Sequence, residues 1–432
     1  MLKWAFYCGH FFCNPLLGKT YNAHLQRYRL RKIIHHAYET SGFYRDWFDK
    51  AGIRPSQIRK PADLRLIPAI TKSQIQDRYD FVVSKTCRSD NCRVRNTSGS
   101  SGKMLRVVWD EFNFMTRLLL YVRAFSMIGY GPFKRLVYLL PVVENAGFRQ
   151  RVFSNRAFTP NKPFSEIRDA LMDYQPHVLS IYPSYAMDLA DQLRDDDIRK
   201  MGIRAISLNS EMVMGHEIAH LEKRFQCPVY VEYSSVEMGM IAAQCKHKGL
   251  HVFNDNVILE ILDEQGNALP PGQRGEVALT ALNSFAMPFI RYRIGDYSSL
   301  YGGKCACGNP YPMLGPIEGR RDDTFILPDG RIIPAWQLYE VIERPLERHG
   351  FRKLVLSDFY LLQKDRDRVA FYYVRGPDFH AGSLDEIMRR TKELLGNAVS
   401  LAVTETDNID RVKSVKRKYI HRQKPSLNHF FL

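Results

Sequence analysis

The chain has 432 residues, enough for two to four structural units, which excludes a single small binding module. Hydrophobic residues make up 45% and charged residues 25%, with 23 Tyr and 25 Phe, so disordered and fibrous classes are excluded as well. The net charge of +16 favours a phosphate-rich partner without deciding between nucleotide, nucleic acid and membrane.

The first nineteen residues are aromatic but broken by Cys8, His10, Cys13, Asn14 and Pro15, and read as a docking arm rather than a leader peptide. No stretch approaches the roughly 20 apolar residues of a spanning helix. The eight cysteines are scattered through a long chain, which fits a reducing, cytoplasmic compartment better than a disulfide framework.

From about residue 21 to 85 the pattern is helical, with Leu25, Tyr28, Ile33 and Ile34 on one side of a basic helix. From about 105 to 300, short apolar runs such as Val178 to Ile181 and Val229 to Val231 alternate with helical segments such as Glu217 to Phe225. That alternation predicts an α/β layered domain. Val257 to Leu262 and Gly275 to Thr280 flank the turn-rich Asp263 to Asn267 and predict an antiparallel excursion. A boundary is expected near Gly319 to Asp323, dividing a large N-terminal domain (1–320, with a helical arm to about 85) from a smaller mobile α+β domain (321–432). In the smaller domain Leu354 to Leu356, Val369 to Val374 and Val399 to Thr404 read as strands. Its helix carries Ser383 and Glu386 as a capping box and Gly396 as a stop.

The most informative octet is Asn96, Thr97, Ser98, Gly99, Ser100, Ser101, Gly102 and Lys103. Two glycines let the backbone approach an anion, hydroxyls donate to phosphate oxygens, and Lys103 adds charge. Gly99 lies only three residues before Gly102, and Met104 stands where a P-loop needs Ser or Thr, so a Walker-type ATPase is disfavoured.

Thr97 to Lys103 resembles the phosphate loop of the adenylate-forming superfamily of AMP-forming ligases. In the order that family requires, Tyr233 to Glu237 resembles its Tyr-Gly-x-x-Glu motif, Tyr292 to Asp296 its Tyr-Arg-x-Gly-Asp motif, and Gly319 to Asp323 its Gly-Arg-x-Asp-Asp motif. The chain is similar to the phenylacetate-coenzyme A ligase branch and its CapK-like relatives in Tyr44-Arg45, Leu66 to Lys72, Tyr182 to Ser184 and Met287 to Arg293.

The resemblance implies that Thr97 to Lys103 hold the ATP phosphates, that Glu237 binds Mg2+, and that Asp296 accepts hydrogen bonds from the ribose. It places Ser210, Glu211, Glu232 and Tyr233 on the adenine side, Ser234 among the ATP- and AMP-binding positions beside the acyl group, Arg320 on the ribose or phosphate, and Asp322 at the hinge of the C-terminal domain. Ser234 departs from the family's glycine. In the terminal segment Lys416 aligns with the catalytic lysine, with Val415 in place of glycine and Lys413 and Lys418 as rivals. Cys245, His251, Cys305 and Cys307 supply three thiolates and one imidazole, the ligand set of a structural Zn2+ site, and lie where CapK-like relatives carry such ligands.

The implied activity is ATP-dependent adenylation of a small aryl or other hydrophobic carboxylic acid, followed by transfer of the acyl group to coenzyme A. Transfer to an amine or hydroxyl, as on a sugar or natural-product intermediate, is the variant within the same class. A basic zinc-containing nucleic-acid-binding protein is the rival from another class. The +16 charge and seven Lys or Arg between Arg411 and Lys424 speak for it. The absence of RRM, KH and paired Cys-x2-Cys patterns speaks against it, so no nucleic-acid partner is expected. A scaffold that has lost activity is countered by Lys103, Glu237, Asp296, Arg320 and Lys416. A homodimer is left open. Aromatics from Tyr130 to Phe148 and Tyr182 to Tyr185 are expected around the acyl pocket, a task core packing would explain equally.

Overall fold

The computed structural model describes residues 17–88, 92–97, 104–131, 134–139, 155–159, 162–347, 355–407, 409 and 420–422. The N-terminal arm before residue 17, the loop Ser98 to Lys103, and Lys413, Lys416 and Lys418 lie outside these residues. The chain divides into two compact units: residues 1–213, 221–294 and 298–316, and residues 214–220, 295–297 and 317–432. No helix among the described residues is long and apolar enough to cross a membrane.

The first unit begins with helix α1 (Gly18–Thr40), which ends at Ser41, whose hydroxyl then accepts the Tyr44 N–H and starts α2 (Gly42–Lys50). The buried face of α1 is Asn22, Arg29, Leu30, Ile33, Ile34 and Ala37. Tyr28, expected on that face, is 61% exposed, and Arg29 is buried in its place. The exchange is possible because the Arg29 guanidinium donates to the Asp255 carbonyl. Further along α1, Gln26 donates to the Asn254 carbonyl and His36 meets the Phe285 carbonyl.

An antiparallel hairpin of β1 (Cys92–Asn96) and β2 (Arg106–Asp110) follows, and Asp110 caps α3 (Glu111–Met127) by accepting the Asn113 N–H. Cys87 and Cys92 form a disulfide with their Cα atoms 6.4 Å apart. This is one local pair, five residues apart, and not a framework of bridges; Cys227, Cys245, Cys305 and Cys307 are free thiols.

Strands β3 (Leu136–Leu139), β4 (Asn155–Phe158), β5 (Val178–Ile181), β6 (Ala205–Leu208) and β7 (Val229–Ser235) are mutually parallel in the order β4-β3-β5-β6-β7. Every residue of β5 and β6 is buried, as expected of parallel strands covered on both faces. After β7 the sheet turns antiparallel through β8 (Gly239–Gln244), β9 (Leu250–Val252), β10 (Val257–Leu262), β11 (Arg274–Ala281), β12 (Tyr292–Tyr301) and β13 (Met313–Leu314), giving eleven strands. The predicted excursion is the β10/β11 pair, in register from Val257↔Ala281 to Leu262↔Glu276.

In the second unit, β14 (Phe325–Ile326) pairs with β15 (Ile332–Ile333) ahead of helix α4 (Ala335–Glu347). A four-stranded sheet follows, ordered β18-β17-β16-β19, from β16 (Leu356–Asp365), β17 (Arg368–Arg375), β18 (Ser400–Glu405) and β19 (Ile420–Arg422). Helix α5 (Ala381–Leu395) stops at Gly396, φ 83°, as the glycine foretold. Its start differs from expectation: the N-cap is His380, without a side-chain cap, so the capping box is not made. Ser383 is already inside the helix and buried, and Glu386 pairs with Arg390 one turn on.

Candidate active site and a Cys/His cluster

The hairpin that bears the phosphate loop is built by local pairing. Asn96 is opposite Arg106, the Thr97 N–H donates to the Leu105 carbonyl at 2.9 Å, and the Thr97 hydroxyl accepts the Leu105 N–H at 2.9 Å. The two strands therefore close below Ser98 to Lys103, whose own structure is outside the described residues.

Strand β7 carries Glu232, Tyr233 and Ser234 and turns into β8, with Ser234 opposite Met240 and Ser235 opposite Gly239. The register shifts between Tyr233 and Ser234, a bulge at the position where serine replaces the family's glycine. Glu237 sits in the turn, 7% exposed, and accepts a hydrogen bond on Oε1 from the Tyr292 hydroxyl at 3.1 Å. The turn is clamped from outside the motif. Arg117 donates to the Glu237 carbonyl at 2.8 Å, the Trp109 indole donates to the Val236 carbonyl at 3.1 Å, and Arg117 lies over the Trp109 ring at 4.1 Å. Gly239, φ 73°, leaves room for Arg117, whose Cγ is 3.0 Å from where a Cβ would stand. Burial pushes the Arg117 guanidinium down to about 9, against the upward pull of Tyr121, Glu237 and Asp110.

The other predicted carboxylates in this unit are engaged separately. Glu211, just past the end of β6, accepts the Ser184 N–H at 2.9 Å in the first turn of the helix Pro183–Gln192, the favourable end for a negative charge. Ser210 has φ 69° and hydrogen-bonds the Tyr182 hydroxyl, and Tyr182 stacks on Tyr185 at 5.8 Å. Burial raises the Tyr182 phenol, a rise that the Ser210 bond opposes. Glu232 is 6% exposed and takes the Ser207 hydroxyl inside the sheet. Burial pushes its carboxyl up to about 7.

In the second unit Arg320 donates to Asp296 Oδ1 at 3.0 Å, and the backbones of the two residues form a β-bridge, with the Tyr297 N–H on the Gly319 carbonyl. Two of the sequence motifs thus meet directly. Asp322 lies in the short 3-10 turn Arg321–Asp323 that follows.

Cys245, His251, Cys305 and Cys307 converge, their ligand atoms all within 4.8 Å of one another. The Cys245 and Cys305 sulfurs are 3.6 Å apart, and Cys307 Sγ is 3.2 Å from His251 Nε2. His251 is fully buried and its Nδ1 faces the Tyr311 carbonyl at 3.4 Å.

Arg117, Trp109 and Tyr292 are the positioning residues that sequence reasoning did not single out. Tyr292 opens a motif and was findable there. Arg117 left only a faint mark, a charge inside the apolar run Phe112 to Phe125, and Trp109 left none.

The fold is that of solved acyl-AMP-forming CoA ligases. The structure matches 2-hydroxyisobutyryl-CoA ligase in complex with an acyl-AMP, in its postadenylation state, with TM-score 0.77 and 20% identity over 92% of this chain and 89% of that one. In sequence the chain is 28% identical to the phenylacetate-coenzyme A ligase of Thermus thermophilus over 72% of this chain and 73% of the relative. It is 25% identical to that of Aromatoleum evansii over 93% and 94%. No protein-family model matches the chain. These curated relatives are phenylacetate-coenzyme A ligases, the branch that the motifs of the sequence resemble.

Proposed function

We propose that the protein is an AMP-forming ligase that joins a hydrophobic carboxylic acid to AMP and then passes the acyl group to coenzyme A. The observation that carries this reading is the buried 3.1 Å bond from Tyr292 to Glu237, two members of different motifs standing 55 residues apart. A carboxylate is unreactive toward a thiol until one oxygen becomes a leaving group, and ATP supplies that by loss of pyrophosphate. The chain's contribution is positioning and neutralisation. Ser98 to Lys103 hold the phosphates. Glu237, oriented by Tyr292 and backed by Arg117, offers the carboxylate for Mg2+, which lowers the charge of the triphosphate when bound. Asp296 and Arg320 receive the ribose, and Lys416 stabilises charge on the reacting carboxylate and α-phosphate. Residues around Asp322 let the C-terminal unit turn between the two half-reactions.

Zinc fits the Cys/His cluster. A tetrahedral site with ordinary zinc bonds has S···S edges of about 3.8 Å and S···N edges of about 3.6 Å, close to the separations of 3.6 and 3.2 Å found here. Three thiolates with one imidazole leave no open position, so its role is structural, pinning the 245–251 and 305–307 segments. We assign the protein to the cytoplasm, where ATP and coenzyme A are supplied.

The test is pyrophosphate release over a panel of aryl and fatty acids, with and without coenzyme A. Acid-dependent release with formation of the thioester is expected. Acid-dependent release with no thioester from any acid would replace coenzyme A by an amine or hydroxyl acceptor, and no release from any acid would overturn the reading. Lys416→Ala is expected to abolish release while leaving ATP binding in place, and unchanged turnover would move the role to Lys413 or Lys418.

A further inference from the structure

The first carboxylate of the chain is Glu39. The residues before it hold six cationic side chains, Lys3, Lys19, Arg27, Arg29, Arg31 and Lys32, in a length where the chain's average acidic content would have supplied about four carboxylates. The arm ahead of Leu17 belongs to this run, and its Trp4, Phe6, Tyr7, Phe11 and Phe12 take no part in the chemistry described above.

Packing sorts these charges along α1. Leu30, Ile33, Ile34 and Ala37 face the core, with Arg29 drawn inward by the Asp255 carbonyl. On the opposite side residues 20, 24, 27, 28, 31 and 35 follow one another at helical spacing and are all exposed. Arg27, Arg31 and Lys32 stand on that side, Lys19 is exposed in the first turn, and Glu39, in the last turn, is the one carboxylate the helix carries. Tyr28 lies among the cations, 61% exposed, and Leu17, where the arm joins the helix, is 47% exposed. The adjoining surface continues the charge. Arg31 donates to the carbonyl of Arg59, whose side chain is exposed like that of Lys60, while Asp63 is turned to the backbone N–H groups of those two residues. Asp49 of α2 is taken up by Tyr38 and Arg54.

We propose that α1 and the arm form a docking surface for an anionic lipid bilayer, with the aromatic arm in the interfacial layer and the cationic face of α1 on the headgroups. The cations from Lys19 to Lys32 are spread over about 20 Å of helix, which suits many anions in a plane rather than one phosphate group. A single-stranded nucleic acid is held in a groove that stacks its bases on several aromatics, whereas this is one convex helix face with Tyr28 alone upon it. Aromatic side chains favour the layer between headgroups and acyl chains. Each Lys or Arg near an anionic surface strengthens binding about fivefold, and an apolar anchor with a basic patch holds a protein that neither would hold alone. The surface lies apart in sequence from the motifs of the ligase reading, and its test does not depend on that reading.

The test is co-sedimentation of the full chain with vesicles of phosphatidylcholine alone and of phosphatidylcholine with about one-third phosphatidylglycerol, at about 0.1 M salt. Binding to the anionic vesicles is expected to be about tenfold or more tighter than to the neutral ones and to loosen as salt rises. Arg27→Glu with Arg31→Glu reverses two exposed charges and is expected to weaken binding about a hundredfold or more, while Arg27→Lys with Arg31→Lys binds as the wild type. Trp4→Ser with Phe11→Ser and Phe12→Ser keeps the charge and removes the anchors, and is expected to weaken binding about tenfold or more. Melts followed by circular dichroism check that each variant is folded. No binding to anionic vesicles, equal binding to neutral ones, or unchanged binding in either the Glu variant or the Ser variant would overturn the assignment. Tighter binding to a single-stranded oligonucleotide than to the anionic vesicles would overturn it as well.

Discussion

Asp255 is fully buried and takes both Nη atoms of Arg123, at 2.9 Å on Oδ1 and 2.9 Å on Oδ2. The Arg123 side chain is itself 3% exposed, with the Tyr311 hydroxyl at 3.1 Å and the Phe253 ring at 5.3 Å. Asp255→Asn keeps the shape but removes the counter-charge and turns an amide N–H toward a guanidinium N–H. Leaving a buried arginine uncompensated costs about 3–5 kcal/mol. For a unit of this size about 2 °C is lost per kcal/mol, so the melting temperature should fall by about 6–10 °C. The double variant Arg123→Met with Asp255→Asn removes the stranded charge and should recover about 1–3 kcal/mol of the loss. Thermal and urea melts followed by circular dichroism measure all three proteins. A drop below about 3 °C for Asp255→Asn, or a double variant less stable than Asp255→Asn alone, would refute the reasoning.

The remaining predictions concern the site, the sheet and the metal cluster. Tyr292→Phe should lower kcat/KM for Mg-ATP by about 10–150-fold in pyrophosphate release, the worth of one buried bond to a carboxylate, and an unchanged value would separate Tyr292 from Glu237 function. Glu232 has its carboxyl raised from 4.5 to about 7 by burial. The folded state therefore favours the protonated form, so its contribution is complete below pH about 4.5 and fades as pH rises to about 7, by at most about 3 kcal/mol. Glu232→Gln should flatten the stability profile across that window, and an equal slope in the variant would count against the assignment. A Cβ on Gly249 would stand 2.8 Å from Cys305 Sγ and 3.2 Å from His251 Nε2. Gly249→Ala should therefore purify with less zinc than the wild type, and full zinc content by metal analysis would contradict this.

What the sequence made legible were features carried by short local patterns. The β10/β11 hairpin followed from the turn at Asp263 to Asn267, and the alternation of apolar runs with helical periods foreshadowed the parallel strands. The cysteine set was legible because ligand types announce themselves, even though its halves come from segments about sixty residues apart. Illegible were the choices made by distant partners. Periodicity put Tyr28 inside and said nothing of Arg29, because a buried arginine becomes acceptable through distant acceptors such as the Asp255 carbonyl, 226 residues on. The Ser383 and Glu386 pair satisfies the capping pattern, yet the helix begins earlier, at Ala381, and the serine is enclosed. Arg117 and Trp109 act on the Glu237 turn from about 120 residues away, beyond any local spacing rule.

The ties of α1 to Asn254, Asp255 and Phe285 span 228, 226 and 249 residues. A ribosome adding about 5–20 residues per second therefore exposes this helix for about 10–50 s before its acceptors emerge. During that interval an amphipathic segment with Leu30, Ile33 and Ile34 along one side has no sheet to cover it. Nascent chains ending before residue 254 lack all three acceptors, which makes them natural clients for chaperones that shield apolar helices.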